Sequence, residues 1–274
     1  MFSKKAFALP LIAMLLGLSA CSKKAEDAPA PDSAPAASKP VFKAGEMVLI
    51  PAGEFILGAN DKDAPAVGPE QKITLPAYWI DKYEVTNGEY LDFSIKGSYA
   101  SESQNWRLFF TPQKVNFPVV NITWNDCLEY CKWAGKRLAT EEEWEKAARG
   151  PDGKRYPWGD KWEGGRSNTF EAGLRAPAEV NQFDDVSQYG VHDLLGNVQE
   201  WTGSWYKAYK GNKKQNPDFG ERYRVLRGLS SNFYGSKGHV WDRSAYLPKA
   251  LYGYGCRCAK DATPEEAAKA GKAG

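Results

Sequence analysis

Four cysteines in two close pairs are the residues of this chain whose type and spacing most readily suggest chemistry. Cys127 and Cys131 are four residues apart, and Cys256 and Cys258 are two residues apart, in a sequence of 274 residues. Thiolates bind Zn(II) or Cu(I), and paired thiols form disulfides in oxidising compartments. The two pairs therefore predict either a metal or redox site or covalent cross-links, which leave no thiol for catalysis.

The spacing of each pair indicates the element on which it lies. Positions four apart share one face of an α-helix, about 6 Å apart along its axis, and positions two apart share one face of a strand, about 6–7 Å apart. We therefore expect Cys127 and Cys131 on a helix, and Cys256 and Cys258 on a strand.

Three helices are predicted by one N-terminal signal. A threonine followed three residues later by an acid occurs at Thr86, Thr123 and Thr140, and this pair satisfies the free N–H groups of a first helical turn. Residues 46–58 and 72–86 are β-branched and aromatic and predict two strand pairs. The rest is rich in glycine and tryptophan, so we expect an α+β fold with much irregular structure.

The N-terminus predicts export and a lipid anchor. Two lysines precede a short apolar run, and Leu18-Ser19-Ala20-Cys21 resembles a bacterial lipobox. We therefore expect a lipoprotein signal peptide at 1–20 and lipid on Cys21; the alternative is an ordinary signal peptide followed by a chance cysteine. Residues 21–45 predict a flexible Ala/Pro/Ser tether, 46–261 one folded domain, and 262–274 a disordered tail.

The charge of the chain excludes one class of partner. The formal net charge is +2, and removal of two lysines with the signal peptide leaves 0, so no nucleic-acid partner is expected. The predicted location is the cell envelope, with the protein held by lipid on Cys21, in the outer membrane and facing the periplasm or the cell surface.

Several blocks of the domain resemble the formylglycine-generating enzyme (sulfatase-modifying factor) family. The similar blocks, in order along the chain, are "MVLIPAGEFILG", "WNDCLEYCKWAGKRLATEEEWEKAARG", "YPWGD", "YGVHDLLGNVQEWT", "RVLRG" and "GCRCAKD". The resemblance spans residues 46–261. It implies the family's irregular, loop-rich α+β fold, which is related to that of C-type lectins.

The resemblance also shows what this chain lacks. Oxidases of the family hold Cu(I) with two cysteines in the segment that matches residues 227–243, and that segment contains no cysteine here. We therefore expect no copper, no formylglycine-generating oxidase activity and no catalytic residue that can be assigned. Trp201 and Ser230 match residues that line the oxygen pocket of the catalytic members, where they also serve the fold.

Two disulfides are predicted, and the resemblance implies the first of them. In some members the cysteines that match Cys131 and Cys258 are bonded, and the matching spacings then predict a parallel bond between Cys127 and Cys256. A Zn(II) or Cu(I) site formed by the four thiolates is the competing interpretation.

A structural calcium ion is a further implication of the resemblance. The turn "GNVQEW" matches one that holds Ca²⁺ in the family, with ligands at Leu195, Gly196, Val198 and Glu200. Hard oxygen ligands suit this ion. The alternative is that Glu200 simply pairs with an arginine.

The segment that replaces the catalytic thiols is the candidate binding groove. Its predicted contacts, with the two pocket positions above, are Trp201, Ser230, Asn232, Tyr234, His239, Trp241 and Arg243. The predicted function is that of a binding or maturation (accessory) factor for an envelope protein, peptide or ligand. The alternatives are an enzyme of the same family with a cysteine-independent mechanism and a purely structural envelope component.

Overall fold

The computed structural model describes residues 42–61 and 65–270. The predicted signal peptide, Cys21 and most of the tether lie outside these residues. Ten strands and four α-helices make up the regular structure of the described part. In chain order they are β1 Met47–Ile50, β2 Gly53–Leu57, β3 Gln71–Leu75, β4 Tyr78–Asp81, α1 Asn87–Lys96, α2 Trp124–Trp133, β5 Arg137–Leu138, α3 Glu141–Arg149, β6 Glu200–Trp205, β7 Arg224–Arg227, β8 Ser244–Tyr246, β9 Gly255–Cys256, β10 Cys258–Asp261 and α4 Pro264–Ala270.

The strands form two four-stranded sheets and one hairpin. The first sheet has the order β1-β4-β10-β5 and is antiparallel. The second has the order β8-β7-β6-β9, in which β9 runs parallel to β6. Strands β2 and β3 pair with each other as the hairpin. The mixture of helices and short strands with long irregular segments confirms the predicted α+β class.

The three predicted helix starts are confirmed atom by atom. In α1, α2 and α3 the threonine side chain accepts a hydrogen bond from the third helical residue, whose carboxylate accepts one from the threonine N–H. Each such cap stabilises a helix by about 1 kcal/mol. Gly150, at φ +67°, ends α3 in a conformation that favours glycine.

Aromatic rings form much of the core beneath α1 and α2. Tyr90 and Phe93 of α1 lie with ring centroids 5.1 Å from Trp106 and 5.7 Å from Tyr130, respectively, and all four side chains are buried. Such edge-on pairs contribute about 0.5–1.5 kcal/mol each beyond their buried area. The contact between Phe93 and Tyr130 thus packs α1 against α2, which carries two of the cysteines.

Helix α3 is joined to β7 by buried ions. The Arg227 guanidinium donates to Glu145 at 2.7 Å and to Glu141 at 3.2 Å, and Arg149 donates to Glu145 at 2.9 Å. All four side chains are almost fully buried. Because each charge has an opposite partner, the network fixes α3 against the strand that leads to the candidate groove.

Both ends of the described part differ from their predictions. Residues 264–270, predicted as disordered, form α4, because Thr263 and Glu266 cap each other and alanines favour helix. At the other end, Phe42 of the predicted tether packs on Tyr83 with centroids 5.4 Å apart. Of the residues described, none belongs to a helix long and apolar enough to cross a membrane.

Candidate functional site

The disulfide that the resemblance implies is present in the structure. Cys131 of α2 is bonded to Cys258 of β10, with 5.7 Å between the Cα atoms. The bond joins residues 127 positions apart in sequence and ties α2 to the first sheet. Because two of the four sulfurs are bonded to each other, this structure excludes the four-thiolate metal site.

The predicted second disulfide is absent, since Cys127 and Cys256 are free thiols. The prediction placed residues 256 and 258 on one face of a single strand. Instead, Cys256 pairs with Trp201 in the second sheet, whereas Cys258 pairs with Leu138 in the first. The chain passes from one sheet to the other at residue 257, so the single strand that the prediction assumed is two strands, although Cys256 still lies beside Cys127.

The two free thiols lie in an environment that suppresses reactivity. Cys127 and Cys256 are fully buried, and Cys127 Sγ lies 3.9 Å from the carbonyl oxygen of Gly255. Burial, together with the adjacent Cys256, raises the pKa of the Cys127 thiol well above its usual range. The thiol is therefore protonated at neutral pH, which leaves it without the nucleophilic thiolate form.

Two of the predicted groove residues, Ser230 and Asn232, line a cavity of about 400 Å³. They follow β7, which the buried ions fix in place. Aromatic residues from β8 and from the segment before β9 complete the walls. The full lining is Gln199, Ser230, Asn232, Phe233, Tyr246, Tyr252, Gly253 and Tyr254.

The aromatic side of this cavity is a contiguous ring cluster. The centroid of Tyr246 lies 5.1 Å from that of Tyr254 and 6.3 Å from that of Tyr252. Tyr254 in turn meets Trp201 edge-on at 5.3 Å. Trp201 is buried, and its Nε1–H donates to the carbonyl oxygen of Ile122 at 3.2 Å. The predicted contact Trp201 therefore supports the cavity from beneath and does not line it.

A second cavity of about 420 Å³ lies beside the first, since Asn232 and Gly253 line both. Its walls come from the start of α1, the segment before α2 and the loop before residue 180. The full lining is Asn87, Phe109, Lys114, Phe117, Pro118, Val120, Asn121, Arg175, Ala176, Pro177, Asn232 and Gly253. We call these two adjacent cavities together the aromatic groove.

Four predicted contacts lie outside the aromatic groove. Arg243 donates from Nε and Nη2 to Glu141 at 2.8 Å for each bond, with its side chain fully buried. His239 stacks on Trp241 with centroids 4.3 Å apart. Tyr234 is exposed but lines neither cavity. The prediction treated residues 230–243 as one wall, whereas the bond between Arg243 and α3 draws the second half of the segment away.

His239 has a local electrostatic partner of its own. Its Nε2 lies 3.1 Å from the Arg155 guanidinium. Burial lowers the pKa of His239, and the positive charge of Arg155 lowers it further. The imidazole is thus kept neutral at physiological pH, as expected for a packed ring.

Sequence reasoning missed most of the groove. Tyr246, Tyr252 and Tyr254 lie in "AYLPKALYGYG", whose aromatic and glycine content could have indicated a binding loop. Lys114 and Arg175 come from segments far apart in sequence, so nothing in the chain alone joins them. A larger, shallow cleft of about 650 Å³ beside Asn60, Gly68 and Lys213 includes none of the predicted residues.

At the turn predicted to hold calcium, Glu200 pairs with an arginine. Its two carboxylate oxygens accept from Arg257 at 2.9 and 3.0 Å, and Oε2 also accepts from the Trp144 indole N–H at 2.8 Å. Glu200 therefore does not fit the role of a metal ligand. Among residues 42–61 and 65–270, no three His, Cys, Asp or Glu side chains form a metal-binding group.

Two buried oxygens beside the same turn lack a partner. They are Oδ1 of Asn168 and Oδ1 of Asp185. Both residues contact the turn, because Asn197 N–H donates to the Asn168 carbonyl at 2.8 Å and Leu195 N–H donates to Asp185 Oδ2 at 2.6 Å. Unsatisfied buried oxygens are the kind of donor that a calcium ion needs, so these two atoms fit the ion better than Glu200 does.

The surrounding buried acids have carboxyl groups whose ionisation is disfavoured. Burial raises the pKa of Glu84 well above its usual range, and Asp193 and Glu200 raise it further. Burial also raises the pKa of Asp185, again with Asp193 adding to the shift. Arg257 is the cation that lowers the pKa of both Glu84 and Asp185, though less than burial raises it.

Comparisons with known proteins match the fold and these sequence blocks. Residues 32–262 match the model of the sulfatase-modifying factor enzyme 1-like domain. The chain is 32% identical to the inactive C-alpha-formylglycine-generating enzyme 2 of Bos taurus over 79% of this chain and 88% of that protein. It is 29% identical to the formylglycine-generating enzyme of Mus musculus, over 81% of this chain and 72% of that one.

A solved structure shares the fold at lower identity. PvdO from Pseudomonas aeruginosa superposes with a TM-score of 0.64 at 24% identity, over 79% of this chain and 94% of PvdO. The family match covers most of the chain, and the relatives include proteins named formylglycine-generating enzyme and one named as its inactive counterpart. The chain therefore belongs to the sulfatase-modifying factor enzyme 1-like domain family, whose members include formylglycine-generating enzymes.

Proposed function

We propose that this protein is a non-oxidase member of its family that binds a segment of a cell-envelope protein in the aromatic groove, as an accessory or maturation factor. The observation that carries the proposal is an open, thiol-free groove at the segment where the oxidases hold copper. Ser230, Asn232 and Phe233 occupy that segment, and all four cysteines of the domain are buried elsewhere.

The chemistry of the groove favours binding over catalysis. Its walls offer exposed aromatic rings, which supply contact area, and amide side chains, which bind peptide groups. Tyr252 is 77% exposed and Phe233 49% exposed, although large aromatic side chains are usually covered in a monomer. Exposed rings that rim a concave surface are typical of a protein-binding site.

The same proposal includes the anchor and the ion. Lipid on Cys21 would hold the domain at the membrane through the tether, within reach of envelope partners. A structural calcium ion would bind at Asn168 and Asp185, beside the turn at Leu195 and Gly196. The ion would favour the ionised form of the buried carboxyl groups beside it and keep in place the strand that carries Trp201.

Photo-crosslinking in cells tests the groove directly. We expect p-benzoylphenylalanine at Tyr252, in the full-length lipoprotein, to form a discrete crosslinked adduct. The matched control is the same label at Ile95, which is 66% exposed on α1 and lines neither cavity.

The identity of the adduct decides the outcome. An adduct with one envelope protein at Tyr252 that is absent at Ile95, and is lost when Asn232 is changed to Trp, supports the proposal. Equal adducts at both positions, or none at Tyr252 under conditions where the label is active, would overturn it.

A further inference from the structure

The second cavity of the aromatic groove carries positive charge without a matching negative charge. Lys114 and Arg175 line it, and its lining includes no Asp or Glu. Both side chains belong to exposed residues. No ion pair to either is formed within residues 42–61 and 65–270. Glu171, four residues before Arg175 in sequence, is already engaged, since it accepts from Gly235 and Ser236 N–H at 3.0 Å each.

The Arg175 side chain is held in place before any ligand arrives. Its guanidinium carbon lies 3.2 Å from the centroid of the Phe170 ring. Its backbone has φ +54°, in a region that residues other than glycine rarely adopt. Asn121, which also lines this cavity, has φ +59°. Strained backbone tends to cluster at functional sites, and here two such residues face one cavity.

A buried acceptor in the same cavity is also unused. Asn87 is 2% exposed; its Nδ2 donates to the Lys114 carbonyl at 3.0 Å, and its Oδ1 has no partner. An unpaired buried oxygen is costly unless a ligand donor reaches it. The backbone N–H groups at the start of α1 are occupied, because Asn87 and Gly88 donate to the carbonyls of Phe117 and Val115. The free acceptor is thus the amide side chain and not the helix end.

On the basis of the proposed function, we propose that the groove receives an acidic peptide segment of its partner, with a carboxylate bound by Lys114 and Arg175 and a backbone N–H bound by Asn87. A peptide supplies each group that the cavity lacks: an anion for the two cations, an N–H donor for the amide oxygen, and apolar side chains for the tyrosines. Charge complementarity of this kind selects between partners and raises the rate of association.

Peptide binding by fluorescence anisotropy tests this assignment on the full mature chain with Cys21→Ser. The probe is a fluorescein-labelled octapeptide with two adjacent glutamates and one tyrosine among alanines and serines. The matched control peptide has glutamines in place of the glutamates. We expect the glutamate peptide to bind at least about threefold more tightly, and the difference to shrink in high salt.

Three variants separate the charge effect from the groove itself. Arg175→Ala and Lys114→Ala should abolish the preference for glutamate, whereas Arg222→Ala, the same charge change at a residue that lines neither cavity, should leave it intact. If both peptides bind equally and Arg175→Ala has no effect on their affinities, the proposal of an acidic ligand is overturned, while the proposal of a binding groove still stands. Failure of both peptides to bind would also overturn the proposal of an acidic peptide ligand. The crosslinking experiment at Tyr252 tests the groove itself independently.

Discussion

At the scale of single residues, Arg257 holds the two sheets together. Its guanidinium donates to both oxygens of Glu200 and to the carbonyls of Asp81 and His192, at 2.8 to 3.0 Å. It sits at the one position between β9 and β10, where the chain passes from the second sheet to the first. Arg257, which lies between Cys256 and Cys258, therefore joins the two sheets, a role that the spacing of the two cysteines did not indicate.

We expect Arg257→Met to lower the free energy of unfolding by about 3–5 kcal/mol. The change leaves the Glu200 carboxylate buried without its counter-ion, and that cost exceeds the gain from a well-packed apolar side chain. Urea unfolding monitored by tryptophan fluorescence measures it. Lys72→Met, which removes one partner of an exposed pair, serves as the control and should not shift the midpoint. An unchanged midpoint for Arg257→Met would contradict this role.

Asp242 makes stability depend on pH. Burial raises the pKa of its carboxyl to about 6, above the value near 3.9 of an unfolded chain. The folded state therefore holds this proton more tightly than the unfolded state does. The stability that the proton contributes is fully present below pH about 4 and is lost as the pH rises through 6. Between pH 4 and pH 8, Asp242→Asn should gain about 2–3 kcal/mol relative to the wild type. If the free energies of unfolding of Asp242→Asn and the wild type change in parallel across this range, the raised pKa of Asp242 is refuted.

At the scale of elements, the local signals in the sequence were sufficient for the helices α1, α2 and α3 and for the presence of the first strands. Capping boxes depend only on residues three positions apart, so Thr86, Thr123 and Thr140 predicted their helices correctly. The pairing of β9 and β10 with different sheets depends on contacts across the whole chain. Spacing alone therefore placed Cys256 on the wrong strand, and the second disulfide was predicted from a continuous strand that does not exist.

Thiol counting on the Cys21→Ser chain tests the arrangement of α2 and β9. Without reductant, we expect no reaction with iodoacetamide in the native state, because both free thiols are fully buried. After unfolding in guanidinium, two thiols should react, and peptide mapping should place them at Cys127 and Cys256. Recovery of a disulfide-linked peptide pair containing these two residues would show that the second bond forms after all.

At the scale of the whole molecule, the family's fold is retained and the oxidase thiols are missing. The sequence could predict this much, because ordered blocks indicate the family and the absence of cysteine from residues 227–243 is visible in the chain itself. The groove could not be predicted in the same way. Tyr252, Asn87 and Arg175 come together only through the packing of three separate segments.

One assay tests the central claim, that this protein has kept the fold and lost the thiol chemistry. The full mature chain is incubated with Cu(I), oxygen and a cysteine-containing sulfatase peptide, with the formylglycine-generating enzyme of Mus musculus as the positive control. Mass spectrometry then follows the peptide. We expect the cysteine to remain unmodified with this protein while the control enzyme converts it. Copper-dependent conversion to formylglycine at a rate comparable to the control would contradict the claim.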